Sequence, residues 1–524
     1  MRDLVPEIPM NRSTLEVRAD VDPLAKEVGA RKPTVENFST KLIEGLKWAI
    51  SFPAMLGMFL IGRVFYDVRD FVVDADVWWH IKVGQDILRT HHWPTTDAYS
   101  FTAAGTPWIA YEWLGEIVLA LVYRAGGVVS LCVFLIAFGS VILLSLYWLA
   151  TVRSGNSKAG FLSVLFLAFL ALASFTLRPQ MFGYLFLILT LLMMEKYRRG
   201  VSWPLWTLPL IFLVWVNTHG SFIIGIGVVG LYLVAGLFSF QRGSVEAVAW
   251  TPKQRLRLET VLLLCLAVLP ITPYGTQLAA YPFDMAFSQP INVANINEWR
   301  PMPFELVGGK IFLGLVVIFF LLQMLFKFSW RLEELLLVAG GTAMACLHVR
   351  FILLFVPFCA PVFATMLARW VPAYMRQKDK YIANAVLMAG VAAAMIHYFP
   401  TRAALDKKVA QTNPVAALTY LRAHPIPGKM LDYYGFGGYL IFAGRPVFID
   451  GRGDLYERSG VLGDYVHLNE FKPGSLGILR NYGIDACLLG TKQSLAAVLL
   501  ATLEWRRVYS DDTSVIFVRQ PASQ

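Results

Sequence analysis

The sequence predicts a polytopic α-helical membrane protein of about eleven spans with a C-terminal α/β domain outside the membrane. Three observations predict it. Of the 524 residues, 56% are hydrophobic and 16% charged, where a soluble globular chain carries about a quarter charged. The apolar residues gather into runs near 48–66, 128–150, 159–175, 180–194, 203–216, 221–240, 260–272, 311–326, 334–347, 351–368 and 381–398. Lysines and arginines concentrate in alternate connections between those runs. The same figures exclude an ordinary cytosolic enzyme, a disordered chain and a collagen-like chain. Four of the five cysteines lie inside apolar runs, so a disulfide framework is not expected.

Residues 1–47 hold eight basic and eight acidic residues and no apolar stretch, which predicts a partly disordered cytoplasmic tail and not a cleavable signal peptide. The run 48–66 then serves as an uncleaved anchor, and 48–399 forms the transmembrane domain. Several runs are shorter than the roughly 20 residues a spanning helix needs, so their polar-flanked ends must extend them.

With the N-terminus inside, the inner connections carry Arg153, Lys158, Lys196, Arg198, Arg199, Arg242, Lys253, Arg255, Arg257, Lys327, Arg331, Arg369, Arg376, Lys378 and Lys380. The outer connections after the second span carry Arg178, Arg300, Lys310 and Arg350. This bias accounts for the net charge of +10 by topology, and nucleic acid is not an expected partner. All eight histidines, 80, 91, 92, 219, 348, 397, 424 and 467, then lie at or beyond the outer surface, so any chemistry faces outward.

The first outer loop, 67–112, is too long for a simple connection and holds seven carboxylates against three basic residues. Its centre, Asp74-Ala75-Asp76-Val77-Trp78-Trp79-His80, leads into Ile81, Gly84, Ile87 and Leu88 at helical spacing. That pattern predicts an amphipathic surface helix with both tryptophans at headgroup level. A second surface helix is expected from Glu112. Asp74 and Asp76 can share a divalent cation or supply a general base. Equally, Asp74 can cap the helix and Asp76 complement its dipole. His80, one turn on, can ligand a metal or pair with Asp76. His91 and His92 read as interfacial loop.

The run Asp74-Ala-Asp76…Trp79…Gly84…Ile87, followed by Pro94-Thr-Thr-Asp97-Ala-Tyr-Ser100-Phe-Thr and Trp108…Glu112-Trp113-Leu114, resembles the GT-C glycosyltransferase superfamily. The likeness is to bacterial members related to protein mannosyltransferases and lipid A sugar transferases. The resemblance implies an inverting transfer of a sugar from a polyprenyl-phosphate carrier to an acceptor on the outer, periplasmic face of the bacterial inner membrane. It makes Asp74 or Asp76 the base. Relatives commonly begin this motif with Asp-Glu, whereas this chain has Asp-Ala-Asp.

Later outer turns supply further candidates. Arg178-Pro179-Gln180, His219 in Asn217-Thr218-His219-Gly220, and Arg350 in His348-Val349-Arg350 are candidate carrier-phosphate ligands; His80 and Arg300 belong to the same set. An arginine beside an apolar span needs a partner, a lipid phosphate or an outer carboxylate. A second long outer loop, 273–310, contains Glu298. By the resemblance, Glu298 could complete a magnesium or manganese site with Asp74 and Asp76.

Residues 400–524 read as the outer α/β domain. A helix is expected over 414–424, and strands at 429–431, 446–450, 482–489, 506–509 and 515–518. Gly435-Phe436-Gly437-Gly438 has the wrong spacing for a dinucleotide fingerprint. Asp450, Arg452 and Asp454 either bind an acceptor glycan or form a structural turn with internal ion pairs. The expected partners are a polyprenyl-phosphate sugar, a glycan, lipid or protein acceptor, and membrane lipids. The rival readings are a transporter or flippase, and a non-catalytic scaffold in an envelope polysaccharide complex.

Overall fold

The computed structural model describes residues 35–70, 74–172, 174–295, 297–326 and 328–520. Most of the tail, 1–34, and Lys327 of the basic set lie outside the described residues. The chain divides into two units, Met1–Ala49 and Ile50–Gln524. In the first, the described part is the helix Val35–Ala49, with Leu42, Ile43, Leu46 and Trp48 exposed.

In the second unit a helix overlies every predicted apolar run. These are Phe52–Val68, Val128–Ser154, Ser157–Leu172, Gln180–Arg198, Leu208–Thr218, Phe222–Ala235, Pro252–Val268, Val307–Phe326, Leu332–Leu347, Ile352–Leu367 and Tyr381–His397. Val128–Ser154 and Ser157–Leu172 are apolar all round, as helices surrounded by protein and lipid must be. Among the described residues, three helices are long and apolar enough to cross a membrane alone, or up to five spans if two bent pairs each count as one. The other described helices are too short or not apolar enough to meet that test, so the strict count stays below eleven.

The connections sort to two ends of these helices. At one end Arg153 pairs with Glu334, Arg198 Nε with Glu333 at 2.8 Å, and Arg331 Nη1 with Glu195 at 2.8 Å. Asn156 Nδ2 there donates to the Val371 carbonyl at 2.7 Å. All these residues come from connections predicted to lie inside. Glu333 and Glu334 open the helix Leu332–Leu347, where its dipole favours negative charge. The turns predicted to lie outside meet one another at the other end, around Arg178 and Glu112.

Two three-residue strands, β1 (Phe240–Arg242) and β2 (Val245–Ala247), pair antiparallel, and β2 pairs in parallel with the short β3 (Trp330–Arg331). The C-terminal part carries β4 (Lys429–Asp432), β5 (Ile484–Gly490), β6 (Trp505–Ser510) and β7 (Ser514–Arg519) in the order β4-β5-β7-β6. The β4–β5 pair is parallel and the others antiparallel. The expected helix lies at Val415–Ala423. Residues 446–450 are not a strand of this sheet. They run extended beside the first outer loop, with Phe101 N donating to the Val447 carbonyl at 3.0 Å.

That contact belongs to a larger arrangement. The first outer loop forms the helix Val77–Thr90, leads into the helix Trp113–Gly126, and shares a buried core with the C-terminal part. Trp79, Val83, Ile87 and Trp108 pack with Leu431, Phe436, Val447 and Ile449. Trp78 lies edge-on to Tyr439 at 5.0 Å. Both tryptophans are therefore buried, at 1% and 3% exposure, and do not stand at headgroup level. The helix Tyr434–Phe442 covers them, because Gly438 lets it approach so closely that a Cβ would stand 2.4 Å from the Ala75 carbonyl oxygen.

Candidate active site

Asp76 is the N-cap residue of Val77–Thr90, yet its side chain makes no capping bond. Asp74 Oδ1 instead accepts the Asp76 amide at 2.9 Å, forming a local turn that presents both carboxylates outward from the helix start. Neither carboxylate acts as the expected helix cap. Both converge on Arg178, from the turn before Gln180–Arg198. Arg178 Nε donates to Asp74 Oδ2 at 2.7 Å, and Nη1 lies 3.1 Å from Asp76 Oδ2 and 3.3 Å from Glu298 Oε1. Of the two aspartates, Asp76 lines the large cavity described below and Asp74 does not. Burial pushes the Asp76 carboxyl up to about 6, with Arg178 pulling the other way and Asp74 adding to the rise.

Beside this cluster lies a buried chain of carboxyls and imidazoles. His80 does not pair with Asp76: its Nδ1 meets Glu116 Oε1 at 3.3 Å and its Nε2 faces Glu112 Oε2 at 3.7 Å. The other Glu112 oxygen meets His219 Nε2 at 3.4 Å, and His219 Nδ1 contacts Ser221 Oγ at 2.8 Å. Burial raises Glu112 to about 8 and lowers His219 to about 3, with Arg350 reinforcing the latter. Glu116 is likewise held well above and His80 well below the ordinary values, chiefly by burial. Burial thus favours the uncharged forms along this chain, protonated carboxyls and neutral imidazoles. Glu116 was not among the sequence candidates. A lone glutamate in the apolar stretch Trp113-Leu114-Gly115-Glu116-Ile117-Val118 is the signal that marks it, since such a group is costly unless paired.

Of these groups, all but Asp74 and Glu116 border one cavity of about 1070 Å³. Part of its lining is apolar, with Leu187, Ile223, Ile224, Met344 and Leu354 coming from four different helices. The polar lining includes Asp76, His80, Glu112, Arg178, His219, Glu298 and Arg350, and the C-terminal part adds Tyr434, Asp454 and Tyr465. Arg350 lies 4.3 Å from the Trp299 ring centroid and forms no ion pair among the described residues. Arg300 is not brought to the cavity. It is exposed, and its carbonyl accepts the Val349 amide, which fixes the two turns to each other.

Asp450 and Arg452 also stay out of the cavity. Arg452 is 1% exposed and locked to Asp450 by its Nε and Nη2 at 2.8 and 2.7 Å, while Nη1 reaches Asp97 at 2.6 Å. They form a structural turn that ties the first loop to the C-terminal part, leaving Asp454 as the cavity-facing member of the motif.

The expected metal set, Asp74, Asp76 and Glu298, does come together, but around a guanidinium. Arg178 takes up the charge that a divalent cation would neutralise, and no group of three or more His, Cys, Asp or Glu among the described residues is arranged to hold a metal. These donors do not fit a divalent cation in this arrangement.

No protein-family model and no curated protein matches the chain. Solved structures do. The oligosaccharyltransferase AglB from Archaeoglobus fulgidus, in complex with an inhibitory peptide and a dolichol-phosphate, superposes with a TM-score of 0.50 at 10% identity, covering 88% of this chain and 74% of that one. ArnT from Cupriavidus metallidurans, bound to undecaprenyl phosphate, gives a TM-score of 0.50 at 14% identity, covering 89% and 98%. The chain shares the fold of both over most of its length.

Proposed function

We propose that this protein is a membrane glycosyltransferase that moves a sugar from a polyprenyl-phosphate carrier to an acceptor hydroxyl. In this reading it crosses the bacterial inner membrane about eleven times, with the N-terminus cytoplasmic and residues 400–524 periplasmic. The observation that carries it is the mixed lining of one cavity, which apolar residues of four helices share with Asp76, Arg178 and Arg350. A lipid-linked donor needs such a pair of environments, a slot for its hydrocarbon and a polar chamber for its phosphate and sugar. Both solved neighbours carry lipid phosphates, dolichol-phosphate and undecaprenyl phosphate respectively.

In this reading Arg350 binds the carrier phosphate, since its charge is not spent on a carboxylate and the Trp299 face holds it in place. Asp76 is the base and Asp74 its positioning partner. The acceptor oxygen attacks the anomeric carbon while its proton passes to the Asp76 carboxylate. The bond from that carbon to the phosphate oxygen breaks, and its electron pair leaves on the polyprenyl phosphate. One displacement inverts the anomeric centre. Arg178 keeps a useful fraction of Asp76 ionised near neutral pH despite burial.

Binding of undecaprenyl phosphate and of undecaprenol to the purified protein tests the donor assignment. The phosphate form should bind at least about tenfold tighter, and Arg350→Gln should remove most of that difference. Equal binding of the two lipids would contradict it.

A further inference from the structure

Glu112 takes no part in the displacement, yet it lines the same cavity as Asp76, Arg178 and Arg350. It stands at the head of the helix Trp113–Gly126 and keeps 9% of its side chain exposed. Glu116, one turn on, is 1% exposed and does not border the cavity. Two imidazoles flank the Glu112 carboxyl: His219 Nε2 lies 3.4 Å from Oε1, and His80 Nε2 lies 3.7 Å from Oε2. Neither contact has hydrogen-bond geometry, so the carboxyl has no hydrogen-bond partner among the described residues. The Ser221 backbone amide donates to His219 Nδ1 at 3.1 Å, which leaves the ring proton on Nε2, the nitrogen nearer Glu112.

A carboxyl kept at a cavity without a hydrogen-bond partner points to a ligand that supplies one. The surrounding charge narrows the ligand. Burial raises Glu112 to about 8 and holds both imidazoles neutral. Arg178 and Arg350 draw the carboxyl down, while Asp76 and Asp454 push it up. A group bound by Glu112 is therefore in range of both the phosphate-binding arginine and the base. In the displacement the donor sugar is the part that joins phosphate to reacting carbon. An uncharged carboxyl beside an imidazole N–H can donate to a hydroxyl and accept from it. A uronate there would face the Glu112, Asp76 and Asp454 carboxyls. An ammonium would find Glu112 uncharged and both arginines near.

We infer that Glu112 and His219 bind the donor sugar and that this sugar is a neutral hexose or pentose. A sugar hydroxyl donates to the Glu112 carboxyl and accepts from His219 Nε2. This rests on the glycosyltransferase reading and names the donor class for it: a neutral sugar, in preference to a uronic acid or an amino sugar.

The test is calorimetric titration of the full-length protein in nanodiscs with undecaprenyl phosphate and with its glucose, mannose, galactose, arabinose, glucuronic acid and glucosamine esters. At least one neutral ester should bind about tenfold or more tighter than undecaprenyl phosphate, and tighter than the two charged esters. Glu112→Ala should remove most of that gain with undecaprenyl phosphate binding retained. Glu112→Gln, whose uncharged amide still donates and accepts, should restore most of it. The donor ranking and Glu112→Gln keep the test decisive if Glu112→Ala does not fold. Four outcomes with undecaprenyl phosphate still bound would overturn the assignment: no neutral ester bound tighter than undecaprenyl phosphate, a charged ester bound tightest, an unchanged gain in Glu112→Ala, or a gain lost in Glu112→Gln. Failure of the wild-type protein to bind undecaprenyl phosphate would instead overturn the reading beneath it.

Discussion

Gly451 lies against Asp76: a Cβ on the glycine would stand 1.9 Å from the aspartate Oδ1 and 3.1 Å from Trp79 Nε1. The two residues are 375 positions apart in the chain, so the Phe448-Ile449-Asp450-Gly451-Arg452 segment serves as the backstop of the first-loop aspartate. Gly451→Ala must push the Asp76 carboxylate off its place. A shift of about 1 Å in a reacting group can cost roughly 100-fold in rate. Transfer should fall by that order with undecaprenyl phosphate binding retained. Gly463→Ala, where the nearest atom is Ile291 Cδ1 at 3.7 Å, should leave transfer unchanged.

The pH profile follows from the raised carboxyl. Asp76 acts as a base only when ionised, and burial holds it at about 6. The rate should therefore rise with pH through a midpoint near 6 and level off above it. Arg178→Gln removes the positive charge that favours the ionised form, so the midpoint should move to higher pH. A midpoint that stays in place in Arg178→Gln would show that another group titrates.

Arg178 also bears on metal dependence. It bonds Asp74 and reaches Asp76 and Glu298 within 3.3 Å, giving these carboxylates a fixed positive partner. Transfer should be unchanged after EDTA treatment and by added magnesium or manganese. Loss of activity in EDTA that either metal restores would contradict the role given to Arg178.

Arg452 predicts a stability effect and not a binding effect. It is buried between Asp450 and Asp97, with both carboxylates also fully buried in their side chains. Removing one partner of such a set leaves uncompensated charge and costs about 3–5 kcal/mol. Arg452→Gln should lower the denaturation midpoint strongly, and Arg458→Gln, whose partner Asp284 is partly exposed, should change it little. Thermal unfolding in detergent distinguishes the two.

The sequence made local features legible and left the long-range ones hidden. Apolar runs locate helices because burial of a whole helix needs no partner in particular, and Arg153, Arg198 and Arg331 of the predicted inner connections share one set of glutamate partners. Asp74, Asp76, Arg178 and Glu298 were visible because ionisable groups beside apolar spans are conspicuous. Trp78 and Trp79 were misplaced because their cover, Tyr434–Phe442, lies some 350 residues away and an amphipathic pattern cannot say whether protein or lipid covers it. For the same reason nothing in the sequence marks Gly438 and Gly451 as the close backbone approaches that they are. Arg300 and Arg350 looked alike in sequence; the turn at Val349–Phe351 brings only Arg350 to the cavity.

Transfer of radiolabelled sugar from polyprenyl-phosphate donors, by purified full-length protein into membrane-extract acceptors, tests the role of Asp76 most directly. Wild-type protein should transfer label, and Asp76→Asn should lose it by about 100-fold or more while still binding undecaprenyl phosphate. Label transferred equally well by Asp76→Asn, or by no form of the protein although undecaprenyl phosphate is bound, would contradict it.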